Sequence, residues 1–137
     1  MASGTPEGGT GTGPVPTRST AAKDVLGRRG EDLAAEHLCA RGCEVLERNW
    51  RRREGELDLV ARDGPRLLVV EVKTRSGTGF GLPAEAVTRA KAARIRRLAA
   101  AWLAEDGRRF DEVRFDVVAV LLPPGAPASV EHYEGAF

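Results

Sequence analysis

Lysine, cysteine and net charge are all scarce in this chain of 137 residues, and each scarcity excludes something. Two cysteines, Cys39 and Cys43, are too few for a disulfide scaffold, which makes a reducing cytoplasm the expected setting. With a net charge of only +1, any nucleic-acid binding must come from a local patch rather than a global field. No apolar run reaches the roughly 18 residues a membrane helix needs, and the N-terminus lacks the apolar core of a signal peptide. There are no internal repeats, so a solenoid is excluded. Lysine occurs only at positions 23, 73 and 91; the remaining positive charge is arginine, which favours bidentate contacts to phosphate.

What the chain does have is charge inside apolar strands. Gly55 to Lys73 reads GELDLVARDGPRLLVVEVK. Period-two alternation puts Glu56, Asp58 and Val60 on one face of the first arm and Leu57 and Leu59 on the other. The second arm puts Val69, Glu71 and Lys73 on one face and Leu68, Val70 and Val72 on the other. Asp63-Gly64-Pro65 is turn material. A hairpin folded symmetrically about Gly64-Pro65 places Asp58 across from Glu71, and Glu56 across from Lys73. Opposed side chains lie roughly 5 Å apart at Cβ, so the two carboxylates require a cation or a shared proton between them. The bland reading is a cross-strand ion-pair cluster, worth a few tenths to about 1 kcal/mol per pair.

Elsewhere the pattern is simpler. Residues 1–22, rich in Gly, Thr, Pro and Ser, are expected to form a disordered tail, and residues 23–137 a single domain. Lys23 to Arg41 reads as a helix with Leu26, Gly30, Leu33, Ala34 and Leu38 on one face and Glu31 at its rim. Cys43 to Asn49 reads as a strand, and Trp50 to Glu54 as a basic link. A Gly-rich loop follows Lys73. A second helix from Pro83 to Glu105 carries Lys91 within the stripe of Val87, Ile95, Leu98 and Trp102. Strands are expected at Glu112–Leu122, with Asp116 inside, and at Val130–Tyr133. The order α-β-β-β-α-β-β predicts an α/β fold, a mixed central sheet flanked by helices.

Two carboxylates on one surface suit a hard cation such as Mg²⁺ or Mn²⁺, which takes oxygen ligands and completes its shell with water or phosphate. Lys73, one strand repeat beyond Glu71, places an ammonium where it can orient a metal-bound water. His37, Cys39 and Cys43 lack a second zinc-ligand pair apart from a remote His132, and read as ordinary core or surface residues. Asp116 reads as a structural carboxylate, and Glu56 as a partner of Lys73 or Arg53.

Gly30-Glu31, Gly55-Glu56-Leu57-Asp58-Leu59, Val70 to Arg75 and Arg114-Phe115-Asp116-Val117 together resemble the YraN family of small bacterial proteins, similar to Holliday junction resolvases of the PD-(D/E)XK nuclease superfamily. The likeness covers about Asp24 to Phe137. It implies a restriction-endonuclease-like core hydrolysing DNA phosphodiester bonds, with branched DNA as one candidate substrate. By resemblance Asp58 and Glu71 are the metal ligands, joined by the Val72 carbonyl; Lys73 is the catalytic lysine and Glu31 assists at the metal. Leu57, not Pro, precedes Asp58, a departure from the superfamily's motif. The two-fold symmetry of a four-way junction leads to the expectation of a homodimer. A nucleic-acid binding module that keeps the fold without efficient cleavage is the alternative.

Overall fold

In the computed structural model, residues 18–77 and 87–137 are described, with side chains from Asp24 onward. The proposed tail therefore falls largely outside the described residues, as do Pro83 and half of the Gly-rich loop, residues 78–81. The elements are α1 (Arg18–Ala40), β1 (Glu44–Arg52), β2 (Gly55–Asp63), β3 (Arg66–Arg75), α2 (Arg89–Asp106), β4 (Glu112–Leu121) and β5 (Ser129–Tyr133). This is the α-β-β-β-α-β-β order expected from the sequence. The five strands form one mixed sheet in chain order, β1-β2-β3-β4-β5. Pairing is antiparallel except between β3 and β4, the two strands joined through α2. No helix among the described residues is long and apolar enough to cross a membrane.

Each helix covers one face of the sheet. Ala34 and Leu38 of α1 pack on Leu59, Ala61, Leu68, Val70, Val118 and Val120. Ile95, Leu98, Ala99 and Trp102 of α2 pack on Trp50, Leu57, Val60, Leu67, Val69 and Phe115. The expected apolar stripe of each helix is the buried one, because 3.6-residue periodicity leaves no other apolar face. α1 begins at Arg18 rather than near Lys23, and it ends at Ala40, just before Gly42, whose φ of 90° favours glycine. Thr88 caps α2, accepting from the Lys91 N–H at 3.1 Å, and Gly107 closes it with φ 82°.

The β2–β3 hairpin has the register expected from folding about Gly64-Pro65: Leu59 pairs with Val70, Val60 with Val69, Ala61 with Leu68. Two local expectations are corrected. Trp50, Arg51 and Arg52 are strand, not link, because they pair with Leu57, Glu56 and Gly55 across a tight turn at Arg53-Glu54, and Trp50 is buried. Leu57 and Leu59 do not share a face. Leu57 packs under α2 and Leu59 under α1. Simple alternation breaks between them, at the level where Asn49 of the neighbouring strand takes a left-handed φ of 52°.

Candidate active site

β2 and β3 are paired only as far as Leu59 and Val70. Beyond that point Gly55–Leu57 pair with β1 alone, and Glu71–Arg75 with β4 alone. The two strands therefore fork. Asp58 and Glu71 stand in the crotch, one step past the last pair. Where the ladder stops, the Val72 N–H donates to Asp58 Oδ2 at 2.8 Å, so a carboxylate replaces a backbone carbonyl as acceptor.

The fork opens into a cavity of about 740 Å³. Glu31, Asp58, Glu71 and Lys73 all line it, together with Val72, Lys91, Arg94 and Arg51 to Arg53. Residues from both helices thus meet the fork, although the helices cover opposite faces. α1 reaches it because Gly30 lies against Thr74: a Cβ added at Gly30 would sit 1.9 Å from Thr74 Oγ1. That close approach places Glu31 at the cavity wall, where the Asn49 Nδ2–H donates to its Oε1 at 3.1 Å. Asn49 was not anticipated. Its only signal in the sequence is that asparagine tolerates positive φ, which many exposed asparagines never use.

The electrostatics are those of crowded acids. Burial, then Glu71, raises the Asp58 carboxyl from 3.8 to about 7, with smaller upward pushes from Glu31 and Glu56 against the Val72 hydrogen bond. Glu71 is 9% exposed and meets the ammonium of Lys91 at 2.6 Å. Among the described residues Lys73 forms no ion pair. Glu56 pairs with Arg51 at 3.4 Å, not with Lys73 or Arg53, because the β1–β2 register sets Glu56 opposite Arg51.

Oxygen-only donors, strong mutual repulsion and an open mouth fit a hard divalent cation. Among the described residues no third His, Cys, Asp or Glu closes around Asp58 and Glu71, so a cation held there keeps part of its water shell. The wall carries arginine and lysine alongside the acids, which suits a ligand that is itself anionic.

A second polar cluster lies on the far side of the sheet's centre. Asp116 is fully buried and accepts from Arg114 Nε and Nη2, both at 2.9 Å, His132 Nε2 at 2.8 Å and the Gly135 N–H at 2.9 Å. Burial alone would raise its pKa, but these donors, His132 first, bring it down to about 2. Asp116 is thereby structural, anchoring the chain end to β4. His132 is not remote from His37: His37 Nε2 and His132 Nδ1 are 3.2 Å apart. Both His132 ring nitrogens are engaged, and among the described residues no zinc-like group forms.

A model of the family described as "Uncharacterised protein family UPF0102" matches residues 30–120, a span that includes the whole fork. Similar curated proteins are the UPF0102 proteins of Frankia alni, 64% identical over 116 residues, and of Beutenbergia cavernae, 60% identical over 114. These alignments cover 85% and 83% of this chain and 97% of each relative. A UPF0102 protein of Acidothermus cellulolyticus is 50% identical over 129 residues, covering 87% of this chain and 98% of its own.

Proposed function

We propose that this chain, which belongs to the uncharacterised protein family UPF0102, is a divalent-metal-dependent endonuclease that hydrolyses DNA phosphodiester bonds. The observation that carries the reading is the fork: Asp58, Glu71 and Lys73 line one cavity whose wall also bears Arg51 to Arg53 and Arg94. The resemblance of the same motifs to the YraN family, and through it to PD-(D/E)XK nucleases with a restriction-endonuclease-like core, supports it independently. Asp58 and Glu71 would hold Mg²⁺ or Mn²⁺. Such an ion, when bound, stabilises charge on a phosphate oxygen and lowers the pKa of a water.

The chain's own residues do the rest. Lys73 orients the attacking water and offsets negative charge growing on the phosphate. Glu31, held by Asn49, adds a carboxylate at the rim that would help position the attacking water. The arginines grip flanking phosphates, giving position and affinity without reading bases. Branched DNA is the substrate favoured by the likeness to junction resolvases, and with it a homodimer.

The test is incubation with linear, flapped and four-way DNA in Mg²⁺ or Mn²⁺, comparing the wild type with Asp58→Ala and Lys73→Ala. Expected is metal-dependent cutting that falls on the order of 10²-fold or more in either variant while DNA is still bound. Binding without cutting in the wild type would replace the enzyme with a nucleic-acid binding module.

A further inference from the structure

Lys91 stands at an odd place for a lysine. It is the third residue of the first turn of α2, where the helix dipole favours a carboxylate and disfavours a cation. Thr88 accepts its backbone N–H, so the cap would work with any side chain. A helix-stabilising role is therefore excluded for the ammonium. What the ammonium does is reach the fork and meet Glu71 Oε2 at 2.6 Å, with Glu71 largely buried. Asp58, the other half of the acid pair, receives one hydrogen bond among the described residues, from a backbone N–H.

We infer that Lys91 is a built-in counterion for the Asp58–Glu71 pair, which a divalent cation must displace from Glu71 and which, once displaced, turns to the phosphate of a bound nucleic acid. The inference rests on the proposed reading of that pair as a cation site. Its physical basis is that a buried carboxylate needs a positive neighbour whether or not a metal is present. Lysine suits exchange better than arginine would: a compact ammonium on a flexible four-carbon stem makes a single point contact, not a bidentate fork. The Lys91 side chain is about one third exposed, so the stem has a path out along the cavity wall, which exposed Arg94 also lines. Metal entry and capture of the anionic ligand are then coupled, since the same event that fills the acid pair frees one more cation for phosphate.

Calorimetric titration of Mn²⁺ into the wild type, Lys91→Met, Arg94→Gln and Asp58→Ala, each checked for a cooperative thermal melt well above the assay temperature, tests this without any substrate. Removing the competitor is expected to tighten Mn²⁺ binding in Lys91→Met on the order of tenfold, the scale of one charge-assisted contact. Arg94→Gln removes a charge from the same cavity but not the contact to Glu71, and is expected to tighten binding roughly twofold or less. If Lys91→Met binds Mn²⁺ no more tightly than Arg94→Gln, the counterion inference fails while the cation site stands. If the wild type binds no more Mn²⁺ than Asp58→Ala, the cation site itself fails and the inference goes with it.

Discussion

Asp58 and Asp116 both stand inside strands of one sheet, yet among the described residues Asp116 accepts four hydrogen bonds and Asp58 accepts one. Burial opposes ionisation at both. At Asp116 a guanidinium, an imidazole and a backbone N–H outweigh it, and the acid drops to about 2. At Asp58 burial is reinforced by Glu71, Glu31 and Glu56, and the acid rises to about 7. The contrast separates two uses of a buried carboxylate. One is fully satisfied and holds the chain together; the other is left short of positive charge, and that shortage is what a cation would relieve.

Removing each acid should therefore move stability in opposite directions, and this is the largest effect. Asp116→Asn leaves the largely buried Arg114 side chain without its bidentate partner and is expected to cost about 3 to 5 kcal/mol in urea denaturation. Asp58→Asn, measured with chelator present, removes a repelling charge and is expected to be neutral or stabilising by up to about 1 kcal/mol. A large loss of stability in Asp58→Asn would erase the distinction between the two acids.

The pH profile sharpens it next. Asp116 has a folded pKa below its ordinary 3.8, so its contribution is present at neutral pH and disappears as pH falls from about 4 through about 2. At about 1.4 kcal/mol per unit this amounts to about 2 kcal/mol. Asp58 has a folded pKa above 3.8, so the folded state holds a proton that the unfolded chain has lost, and stability declines as pH rises from about 4 to about 7. Urea midpoints across pH 2 to 8 in chelator should show both slopes in the wild type, with Asp58→Asn losing only the one near neutrality.

The smallest effect concerns how Glu31 joins the crowded acid centre. Asn49 pays for its left-handed backbone with a hydrogen bond to Glu31. Asn49→Gly suits that backbone and is expected to cost a few tenths of a kcal/mol, whereas Asn49→Ala adds strain of about 1 kcal/mol. Both should weaken Mn²⁺ binding slightly and equally, since both release Glu31. Equal stability of the two variants would remove the strained backbone from the account.

The hairpin register was legible in the sequence because a one-residue slip would have put charged residues against the apolar cores on both faces. Glu31 at the helix rim was legible for the same kind of reason, a 3.6-residue period. The partner of Glu56 was not, because it is fixed by the β1–β2 register, and β1 was read as ending before Arg51. The split of Leu57 from Leu59 was hidden too: it lies beside one backbone angle at Asn49, which no side-chain pattern records. Nor could the sequence pair His37 with His132, which are 95 residues apart and meet only through the packing of α1 against the end of the sheet.

The strands lie side by side in the order in which they occur along the chain. β1 to β3 are joined by tight turns and can pair with little loop-closure cost, whereas β4 joins β3 only after the crossover through α2. The fork carrying Asp58 and Glu71 belongs to that early, local assembly. The contacts of Asp116 and His37 with residues 132 to 135 can form only when the last strand arrives. A nascent chain thus acquires its acid pair before it acquires the clasp that locks the fold.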